Sequence, residues 1–296
     1  MIEKPMYGKI FLNGCFRVLY ENMTENLQQK WRFEEFEQLA KKEMAHFHGA
    51  IAETQKFNNK FYEVWTKKPM SRQVHIASDE NGEIFQFRFV ETPSGMKKTR
   101  NHYKPPVELK WILMSQAMLP TYMPGTLNFT KAANPQHPSI LEQQDAFEAK
   151  IVAPADGRVV DVVSTIPNNK IGMRNENDRF GNYIVMAHER GEYSMLAHLS
   201  TNKIAVEKGQ HVQTGDVIAR AGNSGDSVFP HVHFRVMDQP DPLYAKPLTI
   251  LMPKHQEFEL PDNALIEFAG EMVDSMSQFA FIAAIRKLVR NLVDFS

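Results

Sequence analysis

A single cysteine, Cys15, among 296 residues excludes an intrachain disulfide framework and any zinc site built on thiolates. The lone thiol reads as a small apolar side chain. Long apolar runs are also missing. No stretch approaches the ~20 residues needed to span a bilayer. The opening MIEKPMYGKIFLNGCFRVLYENM lacks the apolar core and small-residue cleavage site of a secretory signal. These absences predict a chain that stays in the cytoplasm or leaves by a non-standard route. Excess charge is missing as well: the formal net charge is −1, so nothing electrostatic favours nucleic acid or an anionic membrane. What remains is an ordinary globular composition, 43% hydrophobic and 23% charged, long enough for two domains and a substantial core.

Residues 17–48 carry a helical apolar stripe: Leu19, Met23 and Leu27, then Phe33, Phe36, Leu39 and Phe47. Thr24 is a candidate cap. The aromatic members read as core and not as a ligand cage. Residues 58–90 change to strand character. Val74, Ile76 and Ser78 lead into the turn Asp-Glu-Asn-Gly, and Phe85, Phe87 and Phe89 line one face of the returning strand. Helices followed by antiparallel strands predict a small α+β domain over 1–105. It resembles the nuclear-transport-factor-two-like domains. Residues 106–135, punctuated by Pro106, Pro120, Pro124 and Pro135, read as a Pro-rich connector. Short strands and Gly turns over 136–255 predict an all-β sandwich or barrel. The stretch 256–296 closes on the stripe Phe281, Ile285, Leu288 and Leu292. That predicts an amphipathic helix docked on the protein itself or offered to a protein partner.

The densest chemistry lies between Gly181 and Val236. A Gly-Asn-Ser-Gly turn precedes Pro230-His231-Val232-His233-Phe234. In a strand, alternate side chains share a face, so both imidazoles point the same way, about 6–7 Å apart. Ala197-His198-Leu199-Ser200 ends an earlier apolar run and brings a third imidazole towards the same surface. Histidines at strand ends between Gly turns suit a metal site better than a core. The segments beginning Val152-Ala-Pro-Ala-Asp-Gly and Val206-Glu-Lys-Gly-Gln form a half-repeat. Biotin- and lipoyl-carrier domains also fold from such halves, but no modifiable Lys in a Met-Lys-Met setting occurs between 150 and 236.

The succession VAPADGRVV (152–160), Phe180-Gly181-Asn182, Ala-His-Leu-Ser (197–200), VEKGQHVQTGDVIARAGNSG (206–225) and Pro-His-Val-His-Phe (230–234) resembles the lysostaphin/LytM-type peptidoglycan metallopeptidases. The resemblance covers about a third of the chain. It implies a duplicated-hybrid-motif β domain and a zinc ion held by an early His-x-x-x-Asp pair plus the second His of His-x-His. By that correspondence His233 is the metal ligand, and His198 and His231 are catalytic histidines outside the ligand set. The early pair is absent from the tens of residues before Ala153. His137, Asp145 and Glu148, in HPSILEQQDAFEAK, are the candidates to replace it. The literal His75-Ile-Ala-Ser-Asp79 reads as a strand and its turn carboxylate. His46 and His48 read as polar helix positions, and His188 and His211 as surface residues.

Two functions follow from the resemblance. One is a zinc endopeptidase, in which the ion activates water and His198 and His231 move its proton and steady the oxyanion. The other is a catalytically degenerate module that holds a peptide, glycan or protein partner in the same groove. The long polar loop 165–180 would rim that groove.

Overall fold

The computed structural model describes residues 6–250 apart from 58, 68–71, 92–94, 109, 120 and 122. The expected helix in 256–296 lies outside the described residues. Among them, no helix is long and apolar enough to cross a membrane.

The helical stripe is divided among short pieces. These are α1 (Tyr7–Leu12), α2 (Phe16–Glu21), α3 (Glu25–Gln28) and α4 (Phe33–Met44). The break after α2 has a cause in the neighbouring sheet. Thr24 N–H donates to the Ile84 carbonyl, and Ile84 N–H returns to that of Asn22. The chain therefore leaves helical geometry to pair with a strand, and Thr24 Oγ1 then caps α3 through Leu27 N–H. Four antiparallel strands follow in sequential order, namely β1 (Ile51–Phe57), β2 (Lys60–Thr66), β3 (Arg72–Ser78) and β4 (Ile84–Glu91). The aromatics pack between helices and sheet: Phe87 meets Phe36 at 5.4 Å and Phe11 at 6.0 Å, both edge-on. The buried Glu63 carboxylate accepts from Tyr7 N–H, Gly8 N–H and Trp65 Nε1–H, which ties the start of α1 to β2.

The remaining strands are β5 (Ile112–Leu113), β6 (Thr126–Thr130), β7 (Lys150–Val152), β8 (Gly157–Val163), β9 (Asn182–Ala187), β10 (Tyr193–Leu199), β11 (His211–Val212), β12 (Val217–Arg220), β13 (Val232–Met237) and β14 (Pro247–Leu248). One sheet runs β11-β8-β9-β10-β13-β6-β5 with β14 also on β13, and β12 pairs with β7. The half-repeat is thus closed by its own halves, with β11 on β8 and β12 on β7.

The connector reading of 106–135 needs correction. This stretch supplies β5 and β6, and β6 is the direct neighbour of the His-x-His strand. The prolines flank the strands and do not interrupt them, as edge and turn positions allow. Trp111, Phe129, Ile151, Ile184, Leu196 and Phe234 form the fully buried heart of this sheet's core. Each is worth about 1.5–3 kcal/mol of burial. The two sheets are joined by polar contacts: Gln55 reaches Leu113 O and Ser115 N–H, Arg88 reaches Gln116 O, and Gln86 reaches Ala117 O.

Candidate functional site

His233 sits mid-sheet, opposite Ala197 of β10 on one side and Asn128 of β6 on the other. His231 stands two residues earlier, on the same face by strand alternation. His198 reaches them by a local distortion. The β10–β9 register breaks between Leu196 and Leu199, and His198 adopts φ 61° inside that bulge. A left-handed non-glycine residue costs about 1–2 kcal/mol. The distortion is held by His198 N–H on the Phe180 carbonyl at 3.0 Å. The bulge turns the imidazole onto the His-x-His face. Its ring lies 4.7 Å from that of His231 and 5.8 Å from that of His233, centroid to centroid. All three are buried.

One tautomer serves all three rings. His198 Nδ1–H donates to the Ser224 carbonyl at 2.9 Å, His231 Nδ1–H to that of Phe229 at 2.8 Å, and His233 Nδ1–H to Asn128 Oδ1 at 3.1 Å. Each Nε2 is left as a bare lone pair. The Ser224 carbonyl reaches His198 because Gly181, at φ 56°, lets the 222–225 turn press against it. A Cβ at Gly181 would lie 2.4 Å from Ser224. Burial holds the imidazoles neutral, with His198 driven down to about 4. His231 is driven to about 3 by burial and then by His198. His233 falls well below its usual value through burial, then through His198, Arg235, His231 and Arg179.

The other predicted candidates lie elsewhere. His137 and Asp145 are exposed. Glu148 is exposed too, with its carboxylate 3.5 Å from Ser200 Oγ and 3.9 Å from Lys203 Nζ. His75 is enclosed in the N-terminal sheet against Gln73 and Arg88, and Asp79 accepts from Asn81 N–H and Glu83 N–H in the turn, as read from sequence. His211 is exposed. His188 is not a free surface residue: it bridges Asp156 O and Ser194 Oγ, both at 2.7 Å, under the Tyr103 ring. The sequence reading also missed Asn128, Arg179 and Arg235 around His233, and gave Phe180 only as part of the Phe-Gly-Asn motif. Strand alternation from His233 points directly to Arg235, two residues on. Nothing local marks Asn128, which comes from 105 residues away.

The β-rich unit thus gathers three strand-end histidines in one neutral tautomer, side chains of the kind that bind metal or move protons. Residues 142–245 match the family model described as Peptidase family M23, and this segment is a lysostaphin/LytM-type M23 domain. Peptidoglycan DD-endopeptidase ShyA of Vibrio cholerae is 33% identical over 90 residues, 30% of this chain and 20% of that protein. Peptidoglycan DD-endopeptidase ShyB of the same organism is 42% identical over 65 residues, 22% of this chain and 15% of that protein. The chain thus matches a fifth or less of each relative's length. The catalytic domain of lysostaphin from Staphylococcus simulans is 19% identical across 51% of this chain and 88% of that one. Its TM-score is 0.30, a likeness too slight to argue from.

Zinc is the metal this family implies, and the residues present meet its demands only in part. His233 Nε2 is buried with no hydrogen-bond partner, as a ligand atom lacking its ion would be, and Asn128 fixes the ring from behind. A protein-held zinc needs about three such ligands. Opposite His233 stands an amide, Asn128, and the charged neighbours that act on His233 are Arg235 and Arg179, with no carboxylate among them. Among the described residues no group of three His, Cys, Asp or Glu is arranged to hold a metal. The ligand set does not fit.

Proposed function

We propose that the M23-type domain is a peptidoglycan-directed module that engages a cell-wall-type peptide in the histidine groove without hydrolysing it. The observation that carries this reading is the pairing of His233 with an amide, Asn128, with no carboxylate among the charged groups that act on it. Two arginines beside an incomplete ligand set oppose a dication. The family and the two endopeptidase relatives support the substrate class. The N-terminal α+β unit and the β-rich unit act as separate domains in this reading, with the boundary near residue 105.

The second reading is a zinc endopeptidase, and one feature favours it. His198 and His231 lie with ring centroids 4.7 Å apart, and with each Nδ1–H engaged by a carbonyl each Nε2 is free to take a proton, as a proton-transfer pair requires.

Sacculus co-sedimentation separates the two readings, run alongside measurement of soluble fragments and of zinc in the purified protein. Retention on sacculi with no fragments, and zinc well below one per chain, is the expected result. Stoichiometric zinc with chelator-sensitive fragment release would replace the binding reading with the enzyme one.

A further inference from the structure

We propose that the groove recognises the C-terminal carboxylate of a peptide, held by the Arg179 and Arg235 guanidinium groups, with the amide N–H of the same terminal residue on His233 Nε2. This rests on the binding-module reading and names its ligand.

The starting point is an uncompensated buried cation. Arg235 is 5% exposed. Its guanidinium lies over the Phe180 ring at 4.9 Å and donates to the Pro242 carbonyl, while its Nε–H is buried without a partner. A charge taken out of water without a counter-charge is costly by several kcal/mol. Native structures rarely leave such a donor unmet. A second guanidinium, that of Arg179, lies 5.8 Å from the same ring, on an exposed residue. Among the described residues, neither arginine forms an ion pair with a carboxylate. Asp226, a carboxylate that acts on His231, is already engaged by Arg174 at 3.1 Å and Thr121 Oγ1 at 2.8 Å. Burial, and then repulsion by Arg179, lowers Arg235 to about 10.

His233 contributes the complementary half. With Nδ1–H given to Asn128, its orphaned Nε2 can only accept. It therefore asks for an N–H or O–H donor, while Arg235, two residues along the same strand face, offers one. A peptide's last residue carries an amide N–H and a carboxylate within a few ångströms of each other. An anion without a donor, such as sulfate, would satisfy the arginines and leave Nε2 empty.

The test uses the full chain with three probes followed by calorimetry: N-acetyl-Lys-D-Ala-D-Ala, the same peptide with an amidated C-terminus, and sulfate. The free-carboxylate peptide is expected to bind about 10- to 100-fold more tightly than the amide, the loss of a charge-assisted contact. Sulfate should bind more weakly than the peptide acid. Arg179→Gln, at an exposed position that leaves the core intact, should remove most of the acid-over-amide preference. Arg235→Gln should do the same if it folds. Retention on sacculi without preference between the two peptides overturns the carboxylate assignment and leaves the module reading standing. Sulfate binding as tightly as the peptide acid also overturns it, because the site would then recognise the anion alone. Failure to bind the peptides and the sacculi overturns both.

Discussion

Phe57 of β1 and Phe229 meet edge-on, with centroids 5.1 Å apart and planes at 82°. Phe229 is two residues before His231, and its carbonyl is what His231 Nδ1–H bonds. The N-terminal sheet therefore props the residue that orients a groove histidine. Phe57→Ala should cost about 3 kcal/mol of stability in urea unfolding. It should also broaden or shift the His231 ring resonances in NMR while leaving those of His75 unchanged. Unaltered His231 signals would mean that the contact is packing alone.

Gly181 is irreplaceable on geometric grounds. Its φ of 56° and the 2.4 Å approach of Ser224 leave no room for a methyl group. Gly181→Ala should displace the carbonyl that holds His198. We expect a loss above about 2 kcal/mol, beyond the ordinary glycine-to-alanine effect at positive φ. A variant as stable as wild type, with unchanged His198 resonances, would contradict this account of the bulge.

His75 gives a pH dependence remote from the groove. Burial, and then Arg88, lowers it from 6.5 to about 3 in the folded protein. Between those values the unfolded chain holds the extra proton. Stability is therefore full above pH 6.5 and falls as the pH drops towards 3. From pH 6.5 to 5 the expected loss from this residue is about 2 kcal/mol. His75→Gln should flatten the wild-type curve by that amount when urea midpoints are compared at the two values. Parallel curves would place the titration elsewhere.

The pairing of β6 with β13 sets where the second domain can be cut. A fragment beginning at 136 leaves the His-x-His strand with one side unpaired, a template for association with other chains. A fragment spanning 100–250 keeps β5 and β6. We expect the longer piece to be monomeric and cooperatively folded, and the shorter one to aggregate or resist folding, as judged by sedimentation and circular dichroism. A well-behaved 136–250 fragment would show β6 to be dispensable.

Local pattern was enough to put His231 and His233 on one face, because strand alternation acts over a few residues, whereas His198 joins them through a bulge tied to Phe180. Local pattern also served for Asp79, whose turn role follows from Asp-Glu-Asn-Gly. Where the sequence misled, partners distant in the chain decided the outcome. Helical periodicity over 17–48 could not reveal that Asn22 and Thr24 bond to Ile84. Counting prolines in 106–135 hid two strands, because Asn128 and Phe129 acquire their meaning only opposite His233 and Val232. His137, Asp145 and Glu148 were selected by closeness in sequence to β7. The chain there runs along the surface, with all three exposed.

The register of Asn128 with His233 also bears on how the protein is made. The two positions are 105 residues apart. β6 is sandwiched between β5, its near neighbour in sequence, and a strand near the end of the domain. During synthesis β5 and β6 emerge early and wait as an open ribbon until β13 arrives, so this half of the sheet cannot close residue by residue. Closing such a distant pair carries a large loop entropy before any contact rewards it, which slows assembly relative to the sequentially ordered β1–β4 sheet. The N-terminal unit is therefore in position to fold first. Its face, with Phe57, Gln55 and Arg88, is then a ready surface on which the later sheet can assemble.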